Sequence, residues 1–299
     1  MQFGKVERLE GIDFTLPELD PDSFLQLDHS GTSKKPSIQV GCNTWNKQQL
    51  KDFYPKGIKD ELTYYSTQLN AIEFNASFYR IFPPQQFEKW REKTPEHFKF
   101  FPKIFQGISH WKRLKNCVRY VEEYTYAVEH LEHKLGTVFI QLNETFTATE
   151  ANLNTMADFL TYWPSHIPLA MEVRHTDWHN SPDMASAYYE LLESYNVSNI
   201  ITDTAGRRDL LHMRLTSDSA FIRFVGANDP SDYDRVGQWV DRVETLLNAG
   251  LRSLNFFVHQ HHETESVHIS KHFIQALNKR LGLSLQVPSL QISPQQSLF

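Results

Sequence analysis

From Ile38 to Leu281 the chain alternates between two kinds of hydrophobic pattern. Short apolar runs, too brief for a helix and bounded by polar residues, predict buried strands. They lie at Ile38–Gly41, Ala71–Asn75, Lys99–Lys103, Thr137–Gln141, Leu169–Glu172, Asn199–Asp203, Ala220–Phe224 and Leu254–His259. Longer stretches, with apolar residues recurring at helical spacing, predict amphipathic helices at Pro84–Lys93, Cys117–His133, Glu150–Trp163, Asp183–Tyr195, Asp232–Ala249 and Ser266–Leu281. The interval Thr204–Ser219 carries only a weak helical pattern, so a loop is expected in place of the sixth helix.

Strand and helix alternating through one continuous stretch imply parallel strands joined by crossover helices. Eight strand candidates make a closed (β/α)8 TIM-like barrel the leading expectation, ahead of a doubly wound open sheet. No Gly-x-Gly-x-x-Gly or Gly-x-x-x-x-Gly-Lys-Ser/Thr motif follows the first strand, which removes the main support for the open sheet. Residues 1–36 read as an N-terminal extension, 37–287 as a single barrel domain, and 288–299 as a polar C-terminal tail.

In such a barrel the chemistry gathers where the strands end, because the loops that follow converge on one mouth. The residues at or just past the predicted strand ends are polar almost throughout: Asn43, Glu73 with Asn75, Lys103, Gln141, Glu172 with Arg174, Asp203, Arg223, and His259 with His261. Glu73 and Asn75 are two apart on a strand and share a face, as do Glu172 and Arg174. A Glu172–Arg174 pair would keep the carboxylate ionised, either as a structural ion pair or as a base beside a guanidinium that grips an anion. Lys103, Arg174 and Arg223 together give the mouth a positive side suited to phosphate, carboxylate or a developing oxyanion, unless they only neutralise Glu73, Glu172 and Asp203. Glu73, Glu172, His110 and Asp203 are the acid–base candidates. Asn43, Trp45, Asn75, Tyr79, Lys103, Gln141, Arg174, Trp178, Arg223 and His259 are candidates for substrate binding. His259 and His261, with Glu73, Glu172 and Asp203, would form the ligand set if a divalent metal is bound, although no His-Glu-x-x-His motif is present.

Composition narrows the partners. A formal net charge of −6 leaves no global basic footprint, so a nucleic acid is disfavoured against a small anionic substrate. No apolar run reaches the roughly 18 residues of a membrane helix, and the start of the chain lacks the apolar core of a signal peptide. Cys42 and Cys117 fit no metal or redox spacing and read as free thiols in a reducing compartment, which makes a soluble cytoplasmic protein the expectation.

The ordered series of motifs resembles the YecE-like family, domain of unknown function 72. It runs from about Ile38 to His261 through Gly41-Cys42-Asn43-Thr44-Trp45, Glu73-Phe74-Asn75-Ala76-Ser77-Phe78-Tyr79-Arg80, Phe98-Lys99-Phe100 with Lys103, Ile108-Ser109-His110, Leu135-Gly136 with Gln141-Leu142, and Glu172-Val173-Arg174-His175-Thr176-Asp177-Trp178. The resemblance implies a (β/α)8-type barrel with a polar cluster in its mouth, and it brings no reaction with it. This chain departs from the family pattern in three places. Cys42-Asn43 stands within the usual Gly-Thr-Ser-Gly-Trp, Asn143-Glu144 replaces a proline pair, and Val225 occupies the histidine position of Arg-x-His-Gly.

Overall fold

The computed structural model describes residues 4–27 and 35–291. Eight strands form its centre: β1 Ser37–Cys42, β2 Ala71–Phe74, β3 Lys99–Pro102, β4 Val138–Gln141, β5 Leu169–Glu172, β6 Ser198–Thr204, β7 Ser219–Val225 and β8 Ser253–His259. All pair in parallel in the order β3-β2-β1-β8-β7-β6-β5-β4. The two ends of that order meet through the bridges Phe100↔Leu135 and Lys103↔Phe139, with Ile104 N–H donating to Phe139 O at 2.9 Å, so the sheet closes as a (β/α)8 barrel. Each strand lies within a residue of the expected bounds at either end, because apolar runs buried on both faces are distinctive in parallel sheets. The described helices are α1 Glu61–Gln68, α2 Ala76–Tyr79, α3 Pro84–Glu92, α4 Val118–Val128, α5 Glu150–Tyr162, α6 Asp177–Asn180, α7 Pro182–Ser194, α8 Ser231–Asn248 and α9 Ser266–Leu281. None is long and apolar enough to cross a membrane.

The barrel interior is built in layers. Ala71, Phe101, Phe139, Ala170, Ile200, Phe221 and Phe257 form one apolar cluster, separate from the larger core between sheet and helices. At the matching position of β1 stands Gly41, where a Cβ would lie 2.1 Å from Ala71 O; only hydrogen fits. Two residues further along each strand, the period of two brings the next inward set to the same side.

Two helical expectations needed revision. The stretch Cys117–His133 is not one helix: α4 ends at Val128, and a 3-10 turn over Glu129–Lys134 takes Glu132 to φ 51°. That turn swings Lys134 inward, where its ammonium donates to Arg91 O at 2.8 Å and Thr94 O at 2.6 Å. Helix α1 had no counterpart in the expected set; Asp60 caps it by accepting from Thr63 N at 3.0 Å.

The loop expected between the sixth and seventh strands is present, as a 3-10 turn over Ala205–Leu210 and an irregular return. The N-terminal extension occupies the place left open there. Leu16 N donates to Gln238 Oε1 on α8, Asp20 N to Met213 O, and Leu215 N to the Ser23 hydroxyl. Arg214 meets Asp20 and Glu193 of α7, so the extension lies between α7 and α8 with Leu16 buried beneath it. Its first described residue reaches the mouth, where Gly4 O accepts from Gly206 N at 2.9 Å. Part of the polar run from Asp28, residues 28–34, and the tail from 292 lie outside the described residues. The first residues of the expected tail, 288–291, are described and dock on the barrel, Ser289 N donating to Gln68 Oε1 at 2.8 Å.

Candidate functional site

The layer above the apolar one is polar all round: Glu73 on β2, Lys103 just past β3, Gln141 on β4, Glu172 on β5, Thr202 on β6, Arg223 on β7 and His259 on β8. Each follows a residue of the apolar layer by two positions. Asn43, two past Gly41, completes the ring from β1.

Arg223 is its hub. Wholly buried, it donates from Nε to Glu73 Oε2 at 2.9 Å and from Nη2 to Glu73 Oε1 at 3.0 Å, a two-pronged grip, while Nη1 bonds Glu172. Glu172 takes a second guanidinium on its other oxygen, from Arg174 Nε at 2.6 Å. Arg174 Nη2 and the Lys103 ammonium both donate to the one amide oxygen of Gln141, each at 2.9 Å. Thus two guanidiniums face two carboxylates, and Lys103 meets a neutral amide. Its ammonium also stands 4.5 Å from the Phe78 ring centroid.

The charges follow this packing. Burial works to raise both carboxyls, but Arg223 and then His259 hold Glu73 well below the usual range, and Arg174 with Arg223 brings Glu172 to about 2. Arg223 is raised, the two carboxylates outweighing its burial. Lys103 goes the other way. Burial and the Arg223 charge lower it to about 7, against a partial offset from Glu172. His110, half-buried in the turn after β3, falls to about 4 through burial and the neighbouring Lys103 charge. Its ring packs edge-on to Phe78, with centroids 4.8 Å apart, and Nδ1 lies 2.9 Å from the Ser109 hydroxyl.

The hydrogen bonds around His259 set its tautomer. Asn43 Nδ2 lies 2.7 Å from Glu263 Oε1 and 2.9 Å from His259 Nδ1. Turning that amide over would set its oxygen against the Glu263 carboxylate, so Nδ2 donates to both. Nδ1 of His259 is therefore an acceptor, and Nε2 carries the hydrogen that it donates to Glu73 Oε2 at 2.8 Å. Asn43 Oδ1 is left buried with no partner among the described residues. Asn75 Nδ2 also donates to Glu73, at 2.8 Å to Oε1.

Beside this network a cavity of about 580 Å³ opens between the loops after β1, β2 and β8. Glu73, Lys103, Asn43 and Asn75 border it from below, Trp45, Phe78 and Tyr79 from the sides, and His261 with Glu263 from the rim. Trp45 stacks on Phe74, with centroids 5.5 Å apart, so one face of the indole is packed against the barrel. Tyr79 is 68% exposed at the edge.

Three expectations are corrected by the geometry. Asp203 does not face the mouth. It points outward from β6 into the helix layer, where Arg235 Nη2 lies 2.8 Å away, Trp239 Nε1 donates to it at 2.8 Å, and Arg208 also pairs with it. Strand parity is the reason: Thr202 and Asp203 point to opposite faces, and the inward one is Thr202, whose hydroxyl is buried without a partner among the described residues. Trp178 is wholly buried on α6, its indole N–H donating to Phe146 O at 2.9 Å, and belongs to the outer core. The five residues considered for a metal do not form one ligand set. Asp203 is on the other face of the sheet, and Glu73 and Glu172 are engaged by Arg223. No group of three or more His, Cys, Asp or Glu side chains suited to a metal occurs among the described residues.

Sequence reasoning missed Thr202 and Glu263. Thr202 lay hidden beside a more conspicuous carboxylate, and Glu263 reaches the site from a turn beyond β8, where no strand period applies. Cys42 and Cys117 are both buried and unpaired as thiols.

The family model "Protein of unknown function DUF72" matches residues 39–292. The UPF0759 protein YecE of Escherichia coli K12 is 26% identical over 228 residues, covering 69% of this chain and 80% of that protein. The UPF0759 protein YunF of Bacillus subtilis 168 is 29% identical over 157 residues, 48% of this chain and 53% of that one. Among solved structures, a DUF72 family protein from Thermotoga maritima MSB8 superposes with a TM-score of 0.68 at 20% identity, covering 81% of this chain and 99% of that one. One from Enterococcus faecalis V583 gives 0.67 at 18% identity, with 83% and 99% covered. The match along most of the length and the shared barrel agree: the chain belongs to the DUF72 family.

Proposed function

We propose that the chain is an enzyme that binds a small phosphate- or carboxylate-bearing substrate in the cavity at the C-terminal mouth of the barrel and acts on it by acid–base chemistry. One observation carries this reading: of Lys103, Arg174 and Arg223, Lys103 alone has no carboxylate partner among the described residues, and it borders the cavity. An anion arriving there supplies the missing counter-charge. Glu263 at the rim leaves that role open, because its oxygens are engaged by Asn43, the Ser266 hydroxyl and Gln260 N.

Glu172 is saturated by two guanidiniums and serves as a counter-ion. The groups with freedom to move a proton are Lys103 and His110, the imidazole staying neutral at neutral pH. The Glu73–His259 pair is held in one tautomer and orients the floor. Hydrolysis, in which water is the only second reactant, is the reaction class placed first. A nucleic acid is a poorer fit, because the carboxylates Glu73 and Glu263 border the cavity.

The test is binding of inorganic phosphate and small carboxylates at low salt, followed by thermal shift and calorimetry. Stabilisation of the wild type that Lys103→Met abolishes is the expected result. Equal stabilisation of both proteins would place the anion elsewhere and end the proposal.

A further inference from the structure

We infer that Lys103 is a covalent nucleophile: its amine condenses with the carbonyl group of a small aldehyde or ketone held in the cavity. The inference rests on the mouth being the substrate site and narrows the substrate to a carbonyl compound carrying an anionic group.

Several features of the geometry meet at this amine. With Lys103 neutral, Arg174 and Arg223 balance Glu73 and Glu172, and the buried layer carries no net charge. With Lys103 protonated, two guanidiniums face an ammonium whose partners among the described residues are an amide oxygen and the rings of Phe78 and Phe139. A lysine beside other cations and out of water is the arrangement that frees an amine to attack at neutral pH. The backbone on which it stands is held firmly. Lys103 N donates to Phe74 O at 3.0 Å, and its carbonyl accepts from the Ser77 hydroxyl at 2.7 Å and the Tyr124 hydroxyl at 3.0 Å. The other titratable groups around it are His110 from the following turn and Glu73 with its partner His259 from β2 and β8.

The step balances without a further reagent. The nitrogen lone pair forms a C–N bond to the carbonyl carbon while the C=O pair moves to oxygen. One proton passes from nitrogen to that oxygen, giving a carbinolamine. With one proton from solvent the C–O bond breaks, water leaves, and an iminium remains. Water entering later reverses the linkage and returns the amine. The iminium has the same single charge as the ammonium, so an anionic group on the substrate balances either form.

The experiment uses the full chain, pyridoxal 5′-phosphate or unphosphorylated pyridoxal as the carbonyl probe, borohydride to trap the imine, and peptide mapping to locate the adduct. At pH 7 the Lys103 peptide is expected to label about tenfold faster than any other lysine, because its amine is far less protonated. Its rate should level off above pH 7, while the rates at surface lysines keep rising with pH. Lys103→Met and Lys103→Arg should lose this fast phase while melting as cooperatively as the wild type. The other lysines of the wild-type chain serve as internal controls if either variant fails to fold. Adducts spread evenly over the lysines, or a fast phase that survives in Lys103→Arg, would overturn the inference. Fast labelling by pyridoxal alone, equal to that by its phosphate, keeps the nucleophile and removes the anionic substrate. No labelling at Lys103 together with phosphate-induced stabilisation does the reverse.

Discussion

Two buried charge clusters sit one strand apart in this barrel, and they use the same materials for different ends. Around Arg223 on β7, two carboxylates and a second guanidinium form the floor beside a cavity. Around Asp203 on β6, Arg235, Arg208 and Trp239 close a carboxylate completely within the helix layer. Arg235 lies over the Phe14 ring of the N-terminal extension at 4.9 Å, and Arg208 donates to the carbonyls of Asp13 and Thr15. The second cluster therefore fastens the extension over the place of the missing sixth helix. A buried carboxylate beside arginine is no sign of a site by itself. What separates the two is the face of the strand on which each stands, and the presence in the first of a cation with no carboxylate partner among the described residues.

The comparison can be broken most forcefully at Arg223. Arg223→Met leaves Glu73 and Glu172 buried without their shared counter-ion, and should cost ~3–5 kcal/mol in urea unfolding together with loss of anion binding. Asp203→Asn removes the carboxylate shared by Arg235 and Arg208, leaving Arg235 its partner Asp232 at 3.0 Å, and should cost about 3 kcal/mol. It should leave fast labelling of Lys103 intact in the folded protein and expose the 4–27 segment to proteolysis. Equal loss of labelling in both variants would mean that the clusters act as one.

Acid titration sharpens the same contrast. Glu172 has a folded-state value of about 2, below the unfolded value, so its stabilisation is present above roughly pH 4.3 and fades as pH falls toward 2, a swing of about 3 kcal/mol. Glu172→Gln should flatten that limb of the stability curve and lower stability at pH 7. Unchanged stability at neutral pH would return Glu172 to the list of groups free for catalysis. Lys103 gives a slope of the same sign for the opposite reason, since in the fold its charged form is the disfavoured one. Its folded value near 7 lies below its unfolded one, so the unfolded chain binds more protons and stability rises from about pH 7 toward pH 10. Lys103→Met should remove that rise and be the more stable protein below pH 7. Tyr79→Ala, at the exposed rim, should change stability by no more than about 0.5 kcal/mol; any larger effect on ligand binding than on melting would mark Tyr79 as a contact.

Much of this was legible from residue types and spacing. Ala71-Ile72-Glu73 and Phe221-Ile222-Arg223 each place an apolar residue two before a charged one, which is the pattern of an apolar layer beneath a polar mouth. At Ile200-Ile201-Thr202-Asp203 both faces of the strand are apolar, so the pattern does not say which way Asp203 turns. Trp178 looked like a platform because it follows a polar strand end, yet α6 turns it into the core against Phe146, with centroids 6.1 Å apart.

The sequence by itself determined the eight strands, the polar character of their ends and the absence of the sixth helix, because these depend on local periodicity and on side chains a few residues apart. Only the tertiary structure decided which charges meet. Glu73 and Arg223 are 150 positions apart, and their ion pair exists because barrel closure brings β2 and β7 to opposite sides of one narrow interior. The same closure leaves Lys103 with an amide where a carboxylate could have stood, and no local pattern records an absence of that kind.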